Sequence, residues 1–267
     1  MTPFVLPAGL LIGLALGALG GGGSILTVPA LVHLVGQDPR VATTGSLVIV
    51  GITSLIALVP HARRGNVRVG QGLAFGALGT AGSFAGSFAS RQVSPAVLLG
   101  AFSLLMLLVA GLMVRRALSG RAAAAGADDA GPMLSLHPFA CACPRVLKVL
   151  VTATAVGLLT GFFGVGGGFA LVPALVLALS FPVPVAVGTS LLVIAVNSAT
   201  ALIARTSGGI TLDWSVIVLF TAAAIAGSLI GGRVAAKVAP RHLTLAFAGL
   251  LVVVALYTAG STLAGAL

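Results

Sequence analysis

The stretches GGGGSILTVPAL, residues 20–31, and GVGGGFALVPAL, residues 164–175, hold the key to the fold. Each sets a run of glycines inside an otherwise apolar segment and follows it with a proline, Pro29 in one and Pro173 in the other, 144 positions apart. At the same offset Ser46-Leu47 meets Ser190-Leu191, and Thr53-Ser54 meets Asn197-Ser198. One inserted residue later, Gly82-Ser83 meets Gly227-Ser228, Gly86 meets Gly231 and Pro95 meets Pro240. A glycine run, a proline and a small-residue motif in one order at nearly one spacing read as an internal duplication. Such repeats are a hallmark of secondary transporters.

The composition says what surrounds these repeats. Of 267 residues 58 % are hydrophobic and 7 % charged, whereas a soluble domain carries about 25 % charged residues. Val149 to Ala204 contains no Lys, Arg, Asp or Glu. A helix needs about 20 apolar residues to cross a hydrocarbon core of about 30 Å, so that run holds at least two spans and the solvent is lipid. The net charge of +10 arises because the acidic residues are only Asp38, Asp128, Asp129 and Asp213. Its basic residues sit singly or in short groups between apolar runs, as topology signals do, and not as a patch with stacking aromatics; nucleic acid is not a partner. The N-terminal stretch lacks the basic region of a secretory leader, so the first apolar segment is expected to be retained.

Apolar segments fall at about 4–36, 41–60, 69–90, 94–117, 145–180, 184–204, 214–236 and 241–264. The fold class is therefore all-α: a polytopic membrane helical bundle of two homologous halves with glycine-broken helices. Residues 1–118 form the first transmembrane repeat, 119–144 a polar linker and 145–267 the second repeat. If each broken segment crosses once, the repeats are parallel and the basic residues divide nine to five across the membrane. If each turns back at its glycines, the repeats are inverted and the division is eleven to three, with only Arg40, Arg91 and Arg205 on the minority side. The stronger bias favours inverted repeats, a cytoplasmic linker and both termini outside.

Backbone that departs from helix at membrane depth survives only inside protein or along a wet cavity. Glycine runs are poor helix interiors. Helices restarting near Ser24 and Phe169 would present uncompensated N–H groups and the positive end of a dipole. Two such ends meeting near the midplane would bind an anion without a buried cation. The candidate substrate-binding residues are therefore Gly21, Gly22, Gly23 and Ser24 in the first half and Gly166, Gly167 and Gly168 in the second. The hydroxyl and amide donors of the following segments join them: Thr44, Ser46, Thr189, Ser190 and Asn197. The competing reading of the glycines is close helix packing, and of the hydroxyls a bond to their own helix. His61 and Arg205 end corresponding segments and, with Arg63, could form a vestibule for anions; interface anchoring is the alternative. His33 is the candidate proton carrier, against a packing role. No carboxylate lies in a span, which disfavours a cation site or an acidic proton relay. His137, Cys141 and Cys143 lack the usual zinc spacing. Neither a metal nor a cofactor is expected. A lipid bilayer and a small anion are the expected partners, and a homodimer and proton coupling are both compatible with this reading.

The paired signature, GGGGSILTVPAL followed by ATTGSL and GFFGVGGGFALVPAL followed by AVGTSLL, resembles the sulfite exporter TauE/SafE family of bacterial membrane permeases. The likeness covers essentially the whole chain. It implies a duplicated inner-membrane transporter for anions of sulfur metabolism: sulfite, thiosulfate, sulfonates or related organic acids. The first half departs from the second in having Ser24 where the other has Gly168, and in lacking the Phe162-Phe163 pair. Two other classes compete with a carrier. A passive anion channel would share the site. An intramembrane hydrolase would use Ser24, but only His33 stands near it in sequence and no acid completes the set.

Overall fold

A computed structural model describes residues 5–90, 93–118, 143–163, 168–205 and 212–264. These residues form ten helices and no strand. The first half holds α1 (Val5–Leu19), α2 (Gly22–His33), α3 (Pro39–Arg63), α4 (Val69–Ser90) and α5 (Pro95–Leu118). The second holds α6 (Cys143–Phe163), α7 (Gly168–Leu177), α8 (Val183–Arg205), α9 (Trp214–Ala235) and α10 (Pro240–Ala264). Five helices are long and apolar enough to cross a membrane: Val41–Arg63, Val97–Leu118, Val183–Ile203, Trp214–Ala235 and Pro240–Gly260. Exposed Leu, Ile and Phe side chains such as Leu104, Ile203 and Phe88 cover the outer surface. Water would penalise such a surface and hydrocarbon does not. At 10 and 12 residues, α7 and α2 reach only about 15–18 Å and cannot span alone.

The long segments at 4–36 and 145–180 each divide at their glycines, as the composition requires. In the first half the division is a reversal. Gly20 adopts φ +74°, a left-handed conformation that glycine takes without the Cβ clash other residues suffer. A Cβ on Gly23 would lie 2.5 Å from the Ile12 carbonyl oxygen and 2.6 Å from Leu16 Cβ. Eleven residues of continuous helix would separate Gly23 from Ile12 by about 16 Å, so α2 folds back along α1.

Matching residues of the two halves occupy matching places. Gly13 and Gly17 of α1 press on Ala224 and Ser228 of α9, and Gly227 and Gly231 of α9 press back on Leu10, Leu14 and Ala18. The second copy of this contact joins α6 to α4: Gly157 and Gly161 press on Gly79 and Ser83, while Gly82 and Gly86 meet Thr154, Leu158 and Phe162. In both pairs the two helices run parallel, backbone on backbone, and a side chain at any of these glycines would strike a carbonyl. The correspondence reaches single hydrogen bonds. Gln37 N–H donates to Leu31 C=O after α2, and Phe181 N–H to Leu175 C=O after α7, both at 3.0 Å. The left-handed residue in each of these turns is Gly36 in one half and Ser180 in the other.

Candidate functional site

The starts of α2 and α7, the two restarted helices, come together. Gly168 lies directly against the Ser24 hydroxyl, and a Cβ there would sit 3.1 Å from the Gly21 carbonyl. Gly21 is the N-cap of α2 and offers no side-chain acceptor to the first turn, so the dipole end of that helix is not neutralised by its own cap. Ser24 Oγ donates to Gly21 C=O at 2.8 Å. Gly166 and Gly167 lie outside the described residues, as do Cys141, His137 and Arg91; the side chains of His33, Cys143 and Arg205 are likewise undescribed.

From this meeting point a cavity of about 720 Å³ extends between α2, α3, α4, α5, α6, α8 and α10. Its polar lining comprises Ser24, Thr43, Ser46, Thr80, Ser83, Thr160, Asn197, Ser198, Thr200, Tyr257 and Thr258; the remainder is apolar, including Phe84, Phe102 and Phe163. No charged side chain lines it among the described residues. Of the residues singled out from sequence, Ser24, Ser46 and Asn197 therefore reach the cavity. Gly168 adjoins it through Ser24, while Thr44, Thr189 and Ser190 are buried elsewhere.

Most of the hydroxyls are committed to their own helices. Ser46 donates to Thr43 C=O at 2.8 Å, Thr53 to Ile49 C=O at 2.6 Å and Ser190 to Val187 C=O at 2.8 Å. This is the common arrangement in apolar surroundings. Two lining groups differ. Thr160 Oγ1 is buried and has no hydrogen-bond partner. Asn197 Oδ1 lies 3.4 Å from Thr80 Oγ1, but that hydroxyl's single proton already serves Gly76 C=O at 2.8 Å. The carboxamide is thus weakly engaged through its oxygen, and it brings two N–H donors to the wall. Thr160 was not singled out from sequence. No sequence pattern marks this lone hydroxyl; the α4 crossing at the next residue, Gly161, sets its place.

Among the described residues the cavity lies toward one face. Its lining comes from the first turns of α3 and α5 and the last turns of α8 and α10, the face opposite the one where α5 ends and α6 begins. On that latter face the matching residues are packed shut. Leu47 and Asn197 are half-buried beside the cavity, whereas their counterparts Leu191 and Thr53 are 0 % and 1 % exposed. Ser83 and Ala201 stand likewise against Ser228 and Ala57. The seal consists of Gly20 against Ser190 Oγ, Val172 and Val187, and of Gly188 beneath the Asn66 carbonyl and His61. Arg68 N–H donates to Thr189 Oγ1 at 3.1 Å across the same seam. His61 is 5 % exposed within it, and Arg63 is exposed beside it.

The sequence model of the sulfite exporter TauE/SafE family matches residues 5–258. This chain belongs to that family. Among TauE/SafE relatives, a probable membrane transporter protein of Xylella fastidiosa (strain 9a5c) is 35 % identical over 253 residues, covering 94 % of this chain and 92 % of its own length. The probable membrane transporter protein YunE of Bacillus subtilis (strain 168) is 30 % identical over 244 residues, 86 % of this chain and 85 % of its own. A probable membrane transporter protein of Methanocaldococcus jannaschii is 26 % identical over 275 residues, 96 % of this chain and 95 % of its own. No solved structure matches the chain significantly. The TauE/SafE assignment makes this a multi-pass membrane transporter. The Ser24 hydroxyl on its cavity wall is bonded to the Gly21 carbonyl.

Proposed function

We propose that the chain is an alternating-access carrier for small anions bearing a sulfur oxyanion or carboxylate group. The observation that carries this reading is the meeting of the α2 and α7 starts, Ser24 against Gly168, at the inner end of a cavity walled by neutral donors. Backbone amides at helix starts attract negative charge without a counter-cation that would hold the solute too tightly to release. Thr160 and Asn197 supply two further donors there, and Phe102 and Phe163 accommodate an apolar substituent. Sulfite, thiosulfate, sulfonates and related organic acids fit this chemistry.

Helix direction supports inverted repeats. The matched helices α3 and α8 cross antiparallel, with Gly51 beside Ser198 and Gly188 beside His61, whereas α4 runs parallel to α8, Gly72 beside Leu192 and Gly76 beside Val196. Both directions fit repeats related by a twofold axis in the membrane plane. With the basic residues as guide, the α5–α6 face is cytoplasmic in a bacterial inner membrane, both termini are outside, and the cavity faces outward. A continuous channel is disfavoured by the seal at the cytoplasmic face.

The test is exchange in proteoliposomes holding the purified chain. Saturable uptake of labelled sulfite or thiosulfate, accelerated by internal unlabelled anion and competed by sulfonates or carboxylates, is the expected result. Flux that rises linearly without exchange, or no anion flux at all, would sink the reading.

A further inference from the structure

His61 is the one titratable side chain buried in the seal, and nothing in the transport cycle outlined above uses it. It closes α3 at the face that is shut, and helices of both halves converge on it. A Cβ added to Gly188 of α8 would lie 3.2 Å from its Cβ, one added to Gly232 of α9 would lie 3.9 Å from Nε2, and the Gly17 backbone of α1 is turned toward the ring. All three are glycines, so the imidazole is seated where no side chain competes with it. It is 5 % exposed, and neither Nδ1 nor Nε2 has a hydrogen-bond partner at bonding geometry. A buried polar group so placed costs free energy in this state, and a state that hydrated it would recover that cost.

The charges around it are of one sign. Arg63 and Arg64 on its own chain segment are exposed beside it; α9 contributes Arg233, next to Gly232 and exposed. Neither α1 nor the Val183–Ser190 turns of α8 carry a titratable residue, so no carboxylate faces the ring. A charged ring sealed in here would meet one backbone carbonyl, that of Gly17, with cationic neighbours and no carboxylate among the described residues, so its charge is costly to bury. Opening the seam would hydrate both ring nitrogens. It would also uncover Ser190, the counterpart of Ser46, and so create on the α5–α6 face the twin of the cavity now open on the other.

We propose that His61 is a proton-binding site of this transporter, and that protonation of its ring releases the seal and opens the twin cavity. The inference rests on the alternating-access reading. The proton binds the open state and not the sealed one, so acidification shifts the population toward opening on the α5–α6 face. A cationic ring at the mouth would then draw the anion into the newly opened half, coupling solute to proton.

The experiment needs no transported substrate. In a Cys141→Ser, Cys143→Ser background, Ser190→Cys and Ser46→Cys report the two faces by reaction with a membrane-impermeant maleimide in reconstituted protein. Labelling is scored against the same protein denatured at each pH. Between about pH 8 and pH 5, Ser190→Cys labelling is expected to rise several-fold while Ser46→Cys labelling falls. His61→Gln should hold Ser190→Cys protected throughout; His61→Arg should leave it reactive throughout. A flat Ser190→Cys profile with His61 present would overturn the proposal by itself, whether or not the variants fold. So would a pH response that persists in His61→Gln. Loss of anion exchange in liposomes with this pH response intact would instead count against the transport reading.

Discussion

Ser46 and Ser190 hold the same place in the two halves of the chain, on helices of the same length class, each bonded to its own helix carbonyl three residues back. One lines a cavity open to one face, and the other lies under Gly20 with no exposed surface. The same contrast holds for Asn197 and Thr53, and for Leu47 and Leu191. The difference is not in the local structure, which the halves share down to the bonds closing α2 and α7. It lies in how the units rest against each other. Halves that are alike beneath faces that are not are what the proposed alternating-access cycle requires, with a second arrangement in which the faces are exchanged.

The largest effect should come from the rigid part of this comparison. Gly17→Leu and Gly161→Leu each drive a side chain into a facing carbonyl, of Ser228 and Ser83 respectively, and overpacking of this kind costs about 1–3 kcal/mol or more. Both should lower the unfolding temperature in detergent, by similar amounts, while Gly249→Leu, with nothing near its added Cβ, should not. Unequal losses at Gly17 and Gly161 would break the equivalence of the two contacts.

Next comes the meeting of helix starts. Gly168→Ala puts a methyl on the Ser24 hydroxyl and should reduce exchange flux at least about tenfold, an effect of about 1.4 kcal/mol, with the protein still folded. Ser24→Gly in the same chain removes the clash and should restore part of the flux; a purely additive double variant would show that the two residues do not share a site.

A smaller effect tests the cavity against its twin. Asn197→Ala removes donors that face the cavity and should raise the KM for anion about tenfold, in line with about 1.5–3 kcal/mol for a hydrogen bond to a charged group. Thr53→Ala, its packed counterpart, should change KM less than about twofold. If both shift KM equally, the cavity's twin is already in play and the two-faced picture is wrong.

The smallest effect concerns a turn where the halves differ in sequence but not in shape. Ser180 carries φ 55° where Gly36 carries φ 76°. A left-handed non-glycine residue costs about 1–2 kcal/mol, so Ser180→Gly should raise the unfolding temperature slightly and Gly36→Ser should lower it. Opposite signs of equal size are the expected outcome in thermal melts.

The helix breaks were legible from residues 20–23 and 164–168 because glycine acts on the backbone locally, whatever its neighbours. The restarts near Ser24 and Phe169 were placed to within two residues of the observed starts, Gly22 and Gly168. The hydroxyls misled more. Thr189 and Ser190 have the residue types of a binding wall, yet in this arrangement they seal a seam, and Thr160 was passed over because a lone threonine in an apolar run carries no pattern. His61 gave a basic residue at a helix end, which sequence reads as an anchor or a vestibule; only the three glycines converging on it reveal a buried ring.

Sequence alone thus determined the solvent, the helical class, the glycine breaks and the pairing of positions between halves, since apolar run length, glycine content and repeat spacing are properties of the chain itself. Tertiary structure decided which member of each pair faces a cavity. Two halves built alike are placed in different environments by the way they pack together.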